Sequence, residues 1–150
     1  MAVVKHTTEE RDLLARLMRA EAIGEGNLGM LMVGNVGVNR TIANCLTFKN
    51  ITTISKMVYQ NPGGFSSTNS SLFFSSPTTK ERQLADRVLK GEYFYPATNS
   101  LWFYAPARVL QIEQFKISRL PLYCKGFIMS TFYYFSVVLF DTMWYNYVVR

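Results

Sequence analysis

Glu21 and Glu25 lie four residues apart in "LMRAEAIGEGNLG", where an apolar helical pattern gives way to glycines. Residues i and i+4 share a helix face, with Cβ atoms about 6 Å apart. Conventional glycosidases flank the scissile bond with two carboxylates from opposite sides, roughly 5 to 9.5 Å apart. Two glutamates on one face straddle a sugar poorly, but one of them could act alone. A single protonated glutamate can give its proton to a glycosidic oxygen and then take one from the substrate's own 6-hydroxyl, which closes an anhydro ring. That chemistry needs a carboxyl whose pKa is raised by apolar or aromatic walls. Glu21, between Met18 and Ala22, falls on or near the core-facing stripe, and Glu25, beyond Gly24, is expected to be exposed. Spacing alone equally allows a solvated helix end. A metal reading would need Asp12, Glu21 and Glu25 to converge, and their spacing matches no calcium or magnesium loop.

The elements that must position these groups follow from pattern. Thr7 and Glu10 fit a capping box for a helix from about Glu9 to Ala22, with Leu13, Leu14, Leu17 and Met18 as its apolar stripe. Asn27 can cap a second helix through "LGMLMVGNVGVNRTIANC". Gly29, Gly34 and Gly37 inside it imply close packing against another backbone, with the first helix as the expected neighbour. "TISKMVYQ" suits a short third helix. "NPGGFSSTNSSLFFSSP" reads as a long loop, either the wall of a polar-substrate groove or a surface loop pinned by buried phenylalanines. Thr79 caps a further helix, "KERQLADRVLKG", with Leu84, Val88 and Leu89 inward and Gly91 as its stop. "SLWFYAP" reads as a short strand or extended segment.

Bulk properties bound the answer. The 150 residues suit one domain with a real core. A net charge of +6 favours an anionic partner. The basic residues are scattered and form no nucleic-acid motif, so nucleic acid is not the expected partner. Cys45 and Cys124 make no disulfide framework and read as buried reduced thiols. His6, the single histidine, sits near an end expected to be loose, which disfavours a His-based zinc site or a Ser/His/Asp triad. The start "MAVVKHTTEERD" has no apolar secretion signal. Residues 127–149 are greasy, with Asp141 as their one charge. Buried β structure, membrane association and a non-native tail all remain open for that segment.

The ordered set "LLARLMRAEAIGEGNLGMLMVGNVGVNR", "MVYQNPGGFSS", "LADRVLKGE" and "PATNSLWFYAP" resembles the cell-wall hydrolase family of spore-cortex-lytic enzymes, CwlJ and SleB. The start resembles the CwlJ branch most closely. The resemblance covers about residues 1–106 and marks them as the catalytic domain, with 107–150 as a divergent C-terminal segment. It implies an α+β, lysozyme-like or transglycosylase-like domain, helix-rich in its N-terminal half with a small β portion. It implies cleavage of spore cortex peptidoglycan in germination, by a lytic transglycosylase or glycosidase. The family's essential glutamate maps to Glu21, and Glu25 takes a supporting or substrate-binding place. Asn39 and Arg40 match its structural "NR", and Gln60 and Phe65 its "Q…F" loop. Trp102, Phe103 and Tyr104 match its aromatic strand and would line the glycan groove, with Trp102 and Tyr104 as substrate-binding candidates and Tyr104 the best placed near the scissile bond; core packing would explain these aromatics equally well. No metal or cofactor is expected in catalysis, and calcium–dipicolinate is implied as a trigger. Spore-coat placement is implied, by synthesis in the mother-cell cytoplasm without a signal peptide, with spore-coat proteins as further partners. The family's closing segment carries a histidine, whereas no histidine follows His6 here, and "MWYN" at Met143–Asn146 resembles a family run out of place. A shifted reading frame or a divergent end accounts for this. It also opens the alternatives of a catalytically impaired coat or peptidoglycan-binding protein, and of a membrane-attached protein through 127–149.

Overall fold

The computed structural model describes residues 2–44, 46–62, 64–95 and 97–103. Five α-helices follow in chain order: α1 (Thr8–Ala22), α2 (Gly26–Ala43), α3 (Ile54–Val58), α4 (Ser71–Phe74) and α5 (Thr79–Leu89). Short 3-10 turns lie between and after them, at Ile23–Glu25, Leu46–Phe48, Ser66–Asn69 and Ala97–Asn99.

Helix α1 starts as its sequence dictates. Thr7 accepts from the Glu10 N–H and Glu10 reaches back to the Thr7 N–H, a complete capping box. Its stripe of Leu13, Leu14, Leu17 and Met18 is buried. Helix α2 is buried on every side from Gly29 to Thr41. A helix that is apolar all round belongs in the middle of a core, and α1, α3, α5 and the Ala97–Asn99 turn pack around α2. Its glycines admit side chains rather than a backbone. A Cβ at Gly34 would lie 3.0 Å from both Met18 Sδ and Val88 Cγ2, and one at Gly37 would lie 2.9 Å from Met57 Cε. The close neighbours are therefore α1, α5 and α3 together, not α1 alone.

Several boundaries differ from expectation. Glu25, not Asn27, stands at the N-cap of α2. The corner there is made by Gly26 at φ +68°, a conformation open to glycine. Thr78, not Thr79, caps α5, and Glu81 completes a second capping box. Gly91 stops α5 with φ +92°, as its position predicts. The stretch read as a long loop contains the Ser66–Asn69 turn and α4, the latter capped by the Ser70 hydroxyl on the Phe73 N–H. The N-terminus is tied down: Val4 is buried, and the Val3 N–H donates to Leu89 O at 2.9 Å.

The described residues are helix-rich, and among them no strand forms. Of the expected short strand or extended segment over 100–106, Ser100 is a bridging residue, the backbone from Leu101 to Phe103 is irregular, and 104–106 lie outside the described residues. Side chains of α2 bind the carbonyls at its start and in the turn before it. Asn39 Nδ2 donates to Ala97 O, Thr98 O and Ser100 O, at 3.0, 3.2 and 2.9 Å. Arg40 Nε donates to Leu101 O at 2.7 Å. Among the described residues no helix is long and apolar enough to cross a membrane. Tyr104, Cys45, Cys124 and the 107–150 segment lie outside the described residues.

Candidate active site

Glu21 is half-buried in the last turn of α1. Helix α1 ends one residue later, at Ala22, whose φ of −141° turns the chain into the Ile23–Glu25 turn. Glu21 and Glu25 thus do not share one continuous helix face, and the i,i+4 geometry read from spacing does not apply. Glu25 is half-buried rather than exposed. Its Cβ stands where a Cβ on Gly29 would have to go, so the glycine makes room for it. Asp12 cannot join these carboxylates. It lies nine residues before Glu21 on the same helix, about 13 Å away along the axis, and pairs with Arg11 at 2.9 Å and Arg82 at 3.1 Å. Among the described residues no three His, Cys, Asp or Glu side chains converge on a point.

Glu21 Oε1 accepts from the Ser67 N–H at 3.4 Å, a long contact. Ser67 belongs to the Ser66–Asn69 turn, which Phe65 opens. Phe65 is buried and stacks on Phe103, with ring centroids 6.0 Å apart. Phe48 and Trp102 form a second aromatic pair at 5.2 Å. Arg40 lies between the two pairs, its guanidinium 4.4 Å from the Phe65 ring centroid and 4.9 Å from that of Phe48. Only 5% of Arg40 is exposed, and its Nη1 has no hydrogen-bond partner among the described residues. Burial pushes the guanidinium down to about 10, while the Glu21 carboxylate acts in the opposite sense. The acid and this buried cation therefore feel one another.

The remaining candidates sort by contact. Asn39 is buried and holds the 97–100 backbone from below. Gln60 is half-buried; its Nε2 donates to Thr47 O at 3.0 Å, and its Oε1 is buried without a hydrogen-bond partner among the described residues. Trp102 and Phe103 are half-buried, each with one ring neighbour in the two aromatic pairs. The structure thus brings Glu21, Arg40, Phe65, Trp102 and Phe103 into one connected set, with Gln60 on the loop that leads into Phe65.

Two supports escaped sequence reasoning. Arg19, 6% exposed, donates to the carbonyls of Leu72, Ser75 and Ser76 and pairs with Glu81 at 3.1 Å. Asn35 Nδ2 donates to Glu92 O at 2.7 Å, and its Oδ1 accepts from the Phe94 N–H at 2.9 Å. Arg19 could have been noticed as a cation beside Met18 on an otherwise apolar face. The carbonyls it serves are more than fifty residues away and leave no local signal.

A family model described as Cell Wall Hydrolase matches residues 24–122. The match opens between Glu21 and Glu25 and runs beyond residue 106. A protein of Oceanobacillus iheyensis named cell wall hydrolase CwlJ is 53% identical over 127 residues, which cover 83% of this chain and 90% of the relative. Proteins of the same name from Halalkalibacterium halodurans and Bacillus subtilis are 55% and 50% identical over 106 residues, each covering 71% of this chain and 74% of the relative. No solved structure matches the chain.

Proposed function

The chain belongs to the CwlJ-type cell wall hydrolase family, and from that premise we propose that it cuts the glycan strands of spore cortex peptidoglycan during germination, with Glu21 as its one acid/base. The observation that carries this reading is the situation of Glu21. Of the other half-buried or buried carboxylates on the helices and the turn after α1, Glu10 is committed to Ser55, Asp12 to Arg11 and Arg82, and Glu81 to Arg19, while Glu25 and Asp86, like Glu21, make no ion pair within 4 Å among the described residues. What sets Glu21 apart is its link to the aromatic set through Ser67 and Phe65. Glu21 has one long backbone contact and no ion pair within 4 Å among the described residues. It sits next to a set of aromatic side chains suited to sugar faces.

In the proposed step the Glu21 carboxyl gives its proton to the glycosidic oxygen as the bond from that oxygen to the anomeric carbon breaks. The carboxylate then takes the proton of the substrate's 6-hydroxyl, whose oxygen closes on the anomeric carbon, and the acid is restored. Attack by water in place of the 6-hydroxyl gives hydrolysis with the same proton bookkeeping. Phe65, Trp102, Phe103 and Tyr104 would line the glycan groove, with Glu25 and Gln60 as polar contacts. The domain is read as lysozyme-like, with residues 1–106 carrying the machinery. The +6 charge suits a polymer bearing carboxylates. Placement in the spore coat, contact with coat proteins and triggering by calcium–dipicolinate complete the proposal.

The test is product analysis. Purified protein is incubated with cortex peptidoglycan and the fragments are read by mass spectrometry. Anhydromuramic ends support the single-acid transfer and reducing ends support hydrolysis. Intact glycan strands after prolonged incubation, with or without calcium–dipicolinate, would remove the proposal.

A further inference from the structure

Arg40 is a charged side chain buried in the core with no carboxylate bonded to it among the described residues. A desolvated cation is expensive and is ordinarily paired. Here it is compensated by two aromatic faces and one carbonyl, and one of its donors is left over. An arrangement built only to hold the segment at Leu101 would need neither the charge nor the unused donor. The same guanidinium touches the wall that ends at Glu21, because Phe65, stacked beneath it, opens the turn whose Ser67 N–H meets the Glu21 carboxylate.

We propose that Arg40 is a positioning residue of the acid/base step, holding the Phe65–Ser67 wall against Glu21 and supplying the buried positive charge that stabilises the Glu21 carboxylate once its proton has left. The inference rests on Glu21 being the acid. When the proton passes to the glycosidic oxygen, the negative charge left on Glu21 forms at the end of a wall that carries a fixed cation, through Phe65 and the Ser67 N–H. Preorganised charge of this kind acts on the transition state more than on substrate binding.

The other ionisable groups around Glu21 do not duplicate this role. On α1 itself, Arg16 lies over the Phe73 ring and Arg19 is bound to Glu81. The Ile23–Glu25 turn offers only Glu25, of like charge. The Ser66–Asn69 turn and α4 carry no charged residue. On α3 the one charge is Lys56, which is exposed. Helix α5 carries Lys80, Glu81, Arg82, Asp86 and Arg87; Glu81 and Arg82 are committed to α1, and Arg87 pairs with Glu92. On α2 the one charge is Arg40 itself.

The test compares Arg40→Met and Arg40→Lys with the unaltered protein on soluble cortex glycan fragments, with kcat and KM measured separately. Arg40→Met is expected to lose about a hundredfold in kcat with KM little changed. Arg40→Lys keeps the charge, and is expected to recover kcat to within about tenfold of the unaltered protein. A folded Arg40→Met with full kcat, or with its loss in KM alone, overturns the proposal, as does an Arg40→Lys no better than a folded Arg40→Met. If Arg40→Met does not fold, Arg40→Lys and Phe65→Leu decide. Phe65→Leu leaves the charge in place and is expected to lower kcat by loosening the wall. Full kcat in Phe65→Leu, or a loss of about a hundredfold in Arg40→Lys, overturns it equally. Activity retained by Glu21→Gln would instead overturn the assignment of the acid beneath this inference.

Discussion

Arg19 ties α1, which carries Glu21, to α4 and the start of α5, and its removal should be costly in a measurable way. Its guanidinium serves the carbonyls of Leu72, Ser75 and Ser76 and pairs with Glu81, itself 9% exposed. Arg19→Met deletes the cation and leaves a buried carboxylate facing an apolar side chain, with three carbonyls short of a donor. Breaking one side of a buried pair costs about 3–5 kcal/mol. For a chain of this size that lowers the melting temperature by roughly 6–20 °C. The Thr78 N–H still serves Glu81 at 2.7 Å, which places the loss toward the lower end. The assay is thermal unfolding followed by circular dichroism, with peptidoglycan cleavage measured well below the melting temperature. Cleavage should also fall, because α4 and the Ser66–Asn69 turn before it lose their anchor to α1. The double variant Arg19→Met/Glu81→Met should recover part of the stability, since no uncompensated charge is then buried. A single variant that melts within about 2 °C of the unaltered protein would refute the reasoning.

Further outcomes follow from other contacts. Asn39→Ala leaves the carbonyls of Ala97, Thr98 and Ser100 without their shared donor and should cost about 2–3 kcal/mol in urea unfolding. Gly29→Ala improves helix propensity yet should destabilise by about 1–3 kcal/mol, because the new Cβ overlaps that of Glu25; a raised melting temperature would contradict this. Glu10 supplies a pH dependence. Burial pushes its carboxyl up, but hydrogen bonds from the Ser55 N–H and hydroxyl and the Thr7 N–H outweigh this and hold it below its ordinary 4.5. A group depressed on folding contributes stability above its unfolded pKa, and that stability is lost as pH falls through the folded value. Glu10→Gln should therefore melt lower than the unaltered protein near neutral pH and converge with it as pH falls below 4.5 and through the lowered folded value.

Local chemistry made parts of this molecule legible from sequence. The Thr7–Glu10 capping box, the Leu13–Met18 stripe and the Gly91 stop each depend on residues within a few positions, and each stands as read. What differed depended on backbone turns or on distant partners. Asn27 looked like a cap, but the turn at Ile23–Glu25 brings Glu25 to that place and lets Gly26 take the corner. The stretch from Ser100 reads as a short strand or extended segment; Ser100 is a bridging residue, the backbone from Leu101 to Phe103 is irregular, and Asn39 and Arg40 bind the Ser100 and Leu101 carbonyls, a link across 61 residues that no local pattern carries. The Glu21–Glu25 spacing alone allows one helix face, although the glycines that follow already place the helix end near Ala22; the φ of −141° at Ala22 is what takes Glu25 off that face. Arg40 was readable as a family position, but its place between two aromatic pairs is a property of the packed chain.

The central claim is that Glu21 is the working acid. Its most direct test is Glu21→Gln, a nearly isosteric change that keeps an acceptor oxygen for the Ser67 N–H but has no carboxyl proton to give. Released glycan fragments are measured from cortex peptidoglycan, with melting temperature as the control for folding. The account predicts a folded protein that releases no fragments above background, beside a Glu25→Gln variant that keeps measurable activity. A Glu21→Gln protein that cleaves at the unaltered rate would contradict it.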